Sequence, residues 1–186
     1  MAGDTTAAEG SATLRSMDPT KEMARLDEQL ERLEALTGHG PETWGRHDPA
    51  VSGWSVGRQV EHTLKSIVRM LAAVRDIRDG KPAAPDGSPR AIGRVLLAAG
   101  RIPRGRAESP EAVVPDEAPD VATSQALLAK AQALRAELAP GIDEVDTWAG
   151  TIPHPMLGPF TAAHWVRFVR VHTDHHLAIV DEILTA

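Results

Sequence analysis

Four stretches of this chain repeat apolar residues at steps of three and four, and a chain built that way must bury four amphipathic helices against one another. The first stripe is Met23, Leu26, Leu30, Leu33 and Leu36; it starts near Pro19 and Thr20 and stops at Gly38 and Gly40-Pro41. The second follows Trp54 and Ser55, a good N-cap, and carries Val56, Val60, Leu64, Ile67, Leu71 and Val74 to about Asp79, before Gly80-Lys81-Pro82. The third spans roughly Thr123 to Ala139, with Leu127, Leu128, Ala131, Leu134 and Leu138 inward, and Pro140-Gly141 ends it. The last runs from about Thr161 to Thr185. A short helix is expected over Ala91–Ala99. No β alternation exceeds a few residues, and nothing repeats at a fixed period. The spacing predicts an all-α fold, a four-helix bundle with one additional short helix and long connectors, over residues 19–186.

The remaining segments lack period. Residues 1–18 are small and polar and read as a flexible tail. A connector with Trp44 and His47 joins the first two helices, and an irregular, proline-rich stretch covers residues 100–120. A loop of that length inside a compact domain is often functional. Composition removes whole classes of chemistry. The chain has no cysteine, so disulfides, thiolate metal sites and cysteine nucleophiles are excluded, and no tyrosine, so no phenol can act as an acid. A net charge of −6 with only one short basic cluster argues against a nucleic-acid partner. No apolar run reaches membrane-spanning length, and no basic region precedes an apolar stretch at the N-terminus, so a cytoplasmic protein without membrane contact is expected.

The last helix carries the strongest signal. At about 100° per residue, Thr161, Trp165, Phe168, Val169, His172, His176, Ile179 and Ile183 share one face, opposite Arg167, Arg170, Asp174 and Asp181. His172 and His176 thus lie one turn apart in the middle of an apolar stripe, a separation from which two imidazoles reach one metal. Two buried imidazoles side by side need partners for four nitrogens, and a metal supplies two. His164 and His175 lie at the edge of that face. His62 stands at the border of a solvent face marked by Arg58, Glu61, Lys65, Arg69 and Asp76, with Gln59, Ser66, Met70 and Ala73 on its other side. Periodicity leaves it pointing either at water or into a site between helices.

Familiar templates fail. Thr173 follows His172 where the zinc-protease pair needs glutamate, and the paired Glu-x-x-His motifs of di-iron bundles are missing. No nucleophile elbow or phosphate loop is present. Arg101, Arg104 and Arg106 either clamp a carboxylate or phosphate, or are ordinary solvated loop charges. Ser66, one turn after His62, reads first as a small residue between helices.

Two stretches, GWSVGRQVEHTLKS (53–66) and HPMLGPFTAAHWVRFVRVHTDHHLAIV (154–180), give the chain a resemblance to the DinB/YfiT-like superfamily of metal-binding four-helix bundles. The segment RIPRGRAESPE resembles one uncharacterised branch of it. The resemblance covers nearly everything from Leu26 onward. It implies that His62, His172 and His176 are the metal ligands, and that His175 is a catalytic neighbour touching a bound water or the substrate. It implies a metal-dependent enzyme acting on a small molecule, either a low-molecular-weight-thiol S-transferase or a hydrolase, and a possible homodimer. Zinc is expected first, with nickel, iron or manganese as alternatives. Arg101, Arg104 and Arg106, with Ser66 and Trp165, are the expected substrate-binding residues. The competing expectation is a bundle that binds a metal or small molecule without turnover.

Overall fold

The computed structural model describes residues 17–81, 84, 87–105 and 109–186. The expected tail falls outside them up to residue 16, and so does Arg106. The elements follow in the order α1 (Pro19–Thr37), α2 (Pro41–Gly45), α3 (Val56–Arg78), α4 (Ala91–Ala99), α5 (Val121–Leu138), β1 (Ile152–His154), β2 (Gly158–Phe160) and α6 (Ala162–Thr185). Among the described residues no helix is long and apolar enough to cross a membrane.

Side chains that cap the first free backbone donors start the four long helices. Asp18 accepts from the Lys21 amide of α1, Ser55 from Arg58 of α3 and Asp120 from Thr123 of α5. Pro19 stands in the first turn of α1, where its missing N–H costs nothing. At α6 the capping is reciprocal: Thr161 accepts from the His164 amide while His164 Nδ1 accepts from the Thr161 amide. A bare imidazole nitrogen there does the work of the usual glutamate or glutamine.

The four long helices form the expected bundle. α3 packs on α5 and α6, α1 packs on the same two, and α1 and α3 face each other across a diagonal. The aliphatic stripes read from the sequence meet in one core, including Leu26, Leu33, Leu64, Ile67, Leu71, Leu138 and Ile183. α1 lies over the polar face of α6: Glu22 binds Arg167 and Arg170, and Gln29 donates to Asp174 at 2.6 Å.

Three features are absent from the expected plan. α2 is a single turn that carries Trp44. β1 and β2 form a small antiparallel hairpin, with Ile152 opposite Phe160. The third is a strap: the proline-rich stretch from Ser109 to Pro119 lies across α3 and bonds to it repeatedly. Val113 O meets His62 Nδ1 at 2.7 Å, Lys65 Nζ reaches Val114 O at 3.1 Å, and the Asp116 amide donates to Glu61 at 3.0 Å. The strap corrects the expected solvent face of α3. Arg69 is exposed there, but Glu61 is fully buried and ion-paired with Lys65 at 2.8 Å.

Trp44 pins the far end of the strap by donating from Nε1 to Pro119 O at 2.9 Å. Its indole lies flat on Gly57, where an added Cβ would sit 2.5 Å from Trp44 Nε1. Alanine for glycine inside a helix ordinarily gains up to about 1 kcal/mol. Here it must push a tethered, buried ring, and overpacking of that kind costs about 1–3 kcal/mol. Gly57→Ala is therefore expected to be net destabilising by about 1–2 kcal/mol, read as a lower urea midpoint. A raised midpoint would show that the indole yields freely.

Candidate metal centre

α6 presents His172 and His176 one turn apart, and α3 brings His62 up against both. Ring centroids lie 4.5 Å apart for His62–His176 and His172–His176, and 5.2 Å apart for His62–His172. One nitrogen from each ring falls within a group whose members are all within 4.8 Å of one another. Aromatic rings wall the cluster: Trp54 stands 5.0 Å from His62 and Phe168 5.8 Å from His172. His62 and His176 are buried and His172 is half-buried.

Partners of the outer nitrogens decide what the inner ones offer. Val113 O can only accept, so His62 carries its proton on Nδ1 and its Nε2 is bare. His176 Nδ1 meets Gln59 Oε1 at 2.7 Å, which bares its Nε2 in the same way. His62 Nε2 and His172 Nε2 are 3.4 Å apart, long for a hydrogen bond but close to the roughly 3.3 Å that two nitrogens keep around one tetrahedral zinc. His172 Nδ1 is buried without a hydrogen-bond partner among the described residues. Burial, and then the neighbouring imidazoles, push His172 and His176 well below the ordinary histidine range. Burial also lowers His62, against the pull of the Val113 carbonyl. All three are thus neutral near pH 7, as metal ligation requires. Clustered, neutral, partly unpartnered imidazole nitrogens fit a single divalent cation.

The other expected site residues lie around this cluster. His175 sits against His176, with ring centroids 5.0 Å apart, and shares a groove with Ile102. Burial and the Arg104 cation lower its pKa. It lines a groove of about 250 Å³ with Arg101, Ile102, Arg104, Val171 and Asp174. Arg101 is exposed there, whereas Arg104 is held by both oxygens of Glu182 at 2.5 Å each. Ser66 is buried on α3, one turn beyond His62. Trp165 is buried too, donating to Ile152 O at 3.2 Å and packed with His154, Phe160 and Phe168. A larger cleft of about 650 Å³ opens between α2 and the strap, and none of the three clustered imidazoles lines it. Sequence reasoning missed Gln59 and Val113 as partners of the ligands. The signal for Gln59 was an uncharged polar residue one turn before His62; Val113 acts through its backbone and left none.

His154 is a half-buried imidazole of a different kind. Its Nδ1 accepts from the amides of Met156 and Leu157, which closes the hairpin turn, so its neutral form is built into the turn. Burial pushes its pKa down to about 4. The unfolded chain takes up this proton near pH 6.5 and the folded chain does not, so stability is complete above that value and drains away as pH falls towards 4. The metal-free protein should therefore lose about 2–3 kcal/mol more between pH 7 and 4 than its His154→Asn variant does, by urea unfolding at each pH. Equal losses would contradict the assignment.

Residues 11–180 match the family described as the DinB superfamily, a span that includes all three clustered histidines. No curated protein and no solved structure matches the chain.

Proposed function

The chain belongs to the DinB superfamily, and from that membership and its three clustered imidazoles we propose a metal-dependent enzyme acting on a small molecule. The observation that carries this reading is the cluster itself: His62, His172 and His176 place one nitrogen each within 4.8 Å of the others and are held neutral. A divalent cation held by three imidazoles keeps an open position and lowers the pKa of a water or thiol placed there. Zinc suits an all-nitrogen set, and nickel, iron and manganese are the alternatives. The reaction we favour is transfer of a low-molecular-weight thiol, with hydrolysis second. No carboxylate reaches the cluster to serve as a base among the described contacts. His175 fills that role in this reading. Burial and the Arg104 cation favour its neutral form, whose bare nitrogen can accept a proton from the substrate. Arg101, exposed on the same groove, would hold a substrate carboxylate, with Arg104 beside it.

A binding protein without turnover is the second reading. It is favoured by the enclosure of the cluster, whose histidines line neither the groove nor the larger cleft, apart from their neighbour His175.

Metal analysis of the protein, carried on a tag without histidine, tests both. About one equivalent of divalent metal is expected in the wild type, falling at least tenfold in His172→Ala and His176→Ala. Turnover of a thiol and an electrophile that stops on chelation and returns on reloading supports the enzyme. Stoichiometric metal with no turnover in such a screen supports the binder, and no metal after soaking with zinc or nickel removes the enzyme and the metal-binding form of the second reading.

A further inference from the structure

An imidazole that ligates a metal must keep one nitrogen bare, and its single proton then belongs on the other. For His62 a backbone carbonyl enforces that choice. For His176 the enforcing group is a side chain from a different helix. Gln59 lies on α3, is 1% exposed, and reaches across the seam so that its Oε1 meets His176 Nδ1 at 2.7 Å. Its other end is also held: Nε2 donates to Ser52 Oγ at 2.8 Å, and the same hydroxyl oxygen accepts from the Trp54 amide at 3.1 Å. Both ends of a buried carboxamide are therefore committed, one to a candidate ligand and one to the connector ahead of α3. A purely packing role would be filled better by an aliphatic side chain, which brings no amide to desolvate.

We propose that Gln59 is a positioning residue of the metal centre. It holds the His176 proton on Nδ1 and so keeps Nε2 bare, while Ser52 anchors the far end of the amide. His172 has no such partner among the described residues, so Gln59 and Val113 together prepare two of the three ligands before any cation arrives. The inference rests on reading the three imidazoles as a metal centre.

The test uses the full chain and Zn²⁺, with affinity measured by competition against a chromogenic chelator. Gln59→Met keeps the shape and removes the acceptor; it should weaken Zn²⁺ binding about 10–100-fold. Gln59→Glu keeps an acceptor and should stay within about tenfold of the wild type. Leu138→Ala, buried on α5 away from the cluster, controls for stability: it should lower the thermal midpoint and leave affinity unchanged. Long-range ¹H–¹⁵N spectra of the metal-free proteins give a second readout. The wild type should show His176 protonated at Nδ1, and Gln59→Met should show it shifted towards Nε2. Unchanged affinity in Gln59→Met, or loss as large in Gln59→Glu, would overturn the proposal. If the wild type takes no Zn²⁺, the metal reading fails by itself, and the spectra still decide: one tautomer in both proteins overturns the role given to Gln59.

Discussion

Three imidazoles removed from water in one place set the terms for the rest of this molecule. Each brings two polar nitrogens into a seam between α3 and α6 that is lined largely by aliphatic and aromatic side chains. An unpartnered buried polar group costs about 1–3 kcal/mol, so the fold must supply partners or forfeit much of a marginal stability. The bundle cannot do so alone, because backbone groups inside a helix are committed to their own ladder. The partners come instead from Gln59, which spends its other end on Ser52 in the connector, and from Val113 in the strap. The outer layer of the site is thus shared between α3, through Gln59, and the irregular segments, through Ser52 and Val113.

That arrangement explains what could be read in advance. The four stripes, the cap at Ser55, the start of the last helix near Thr161 and the pairing of His172 with His176 are local patterns, and all appear in the structure. His62 was ambiguous for a definite reason. A period reports which side of a helix meets other helices, and the side of α3 bearing Glu61 and His62 meets the strap, which has no period of its own. Glu61 was placed in solvent by the same logic, and it is the strap's Asp116 amide and Lys65 that make its burial tolerable. The hairpin was invisible because its strands are three residues long and each contains proline. Membership of the DinB superfamily spans all three histidines, but carries no reaction with it.

The same logic links regions far apart in the chain. Trp44 rests on Gly57 at the start of α3 and holds Pro119 at the end of the strap, so one indole ties the first connector to the third. At the other end of the cluster, Phe168 touches His172 on one side and the ring of His154 on the other. His154 in turn closes the hairpin turn. Two connectors that look like separate decorations therefore both bear on the imidazoles, one through a carbonyl and one through edge-on and tilted ring contacts.

The Val113 carbonyl has a consequence of its own. It belongs to the backbone, so every amino acid that could occupy position 113 would still present it. The Val113 side chain is itself buried, so replacing it tests its packing and leaves the oxygen in place. A survey of side-chain variants would report that packing and stay silent on the carbonyl. Only a change to the main chain itself, or to the prolines that hold its path, would expose what it contributes.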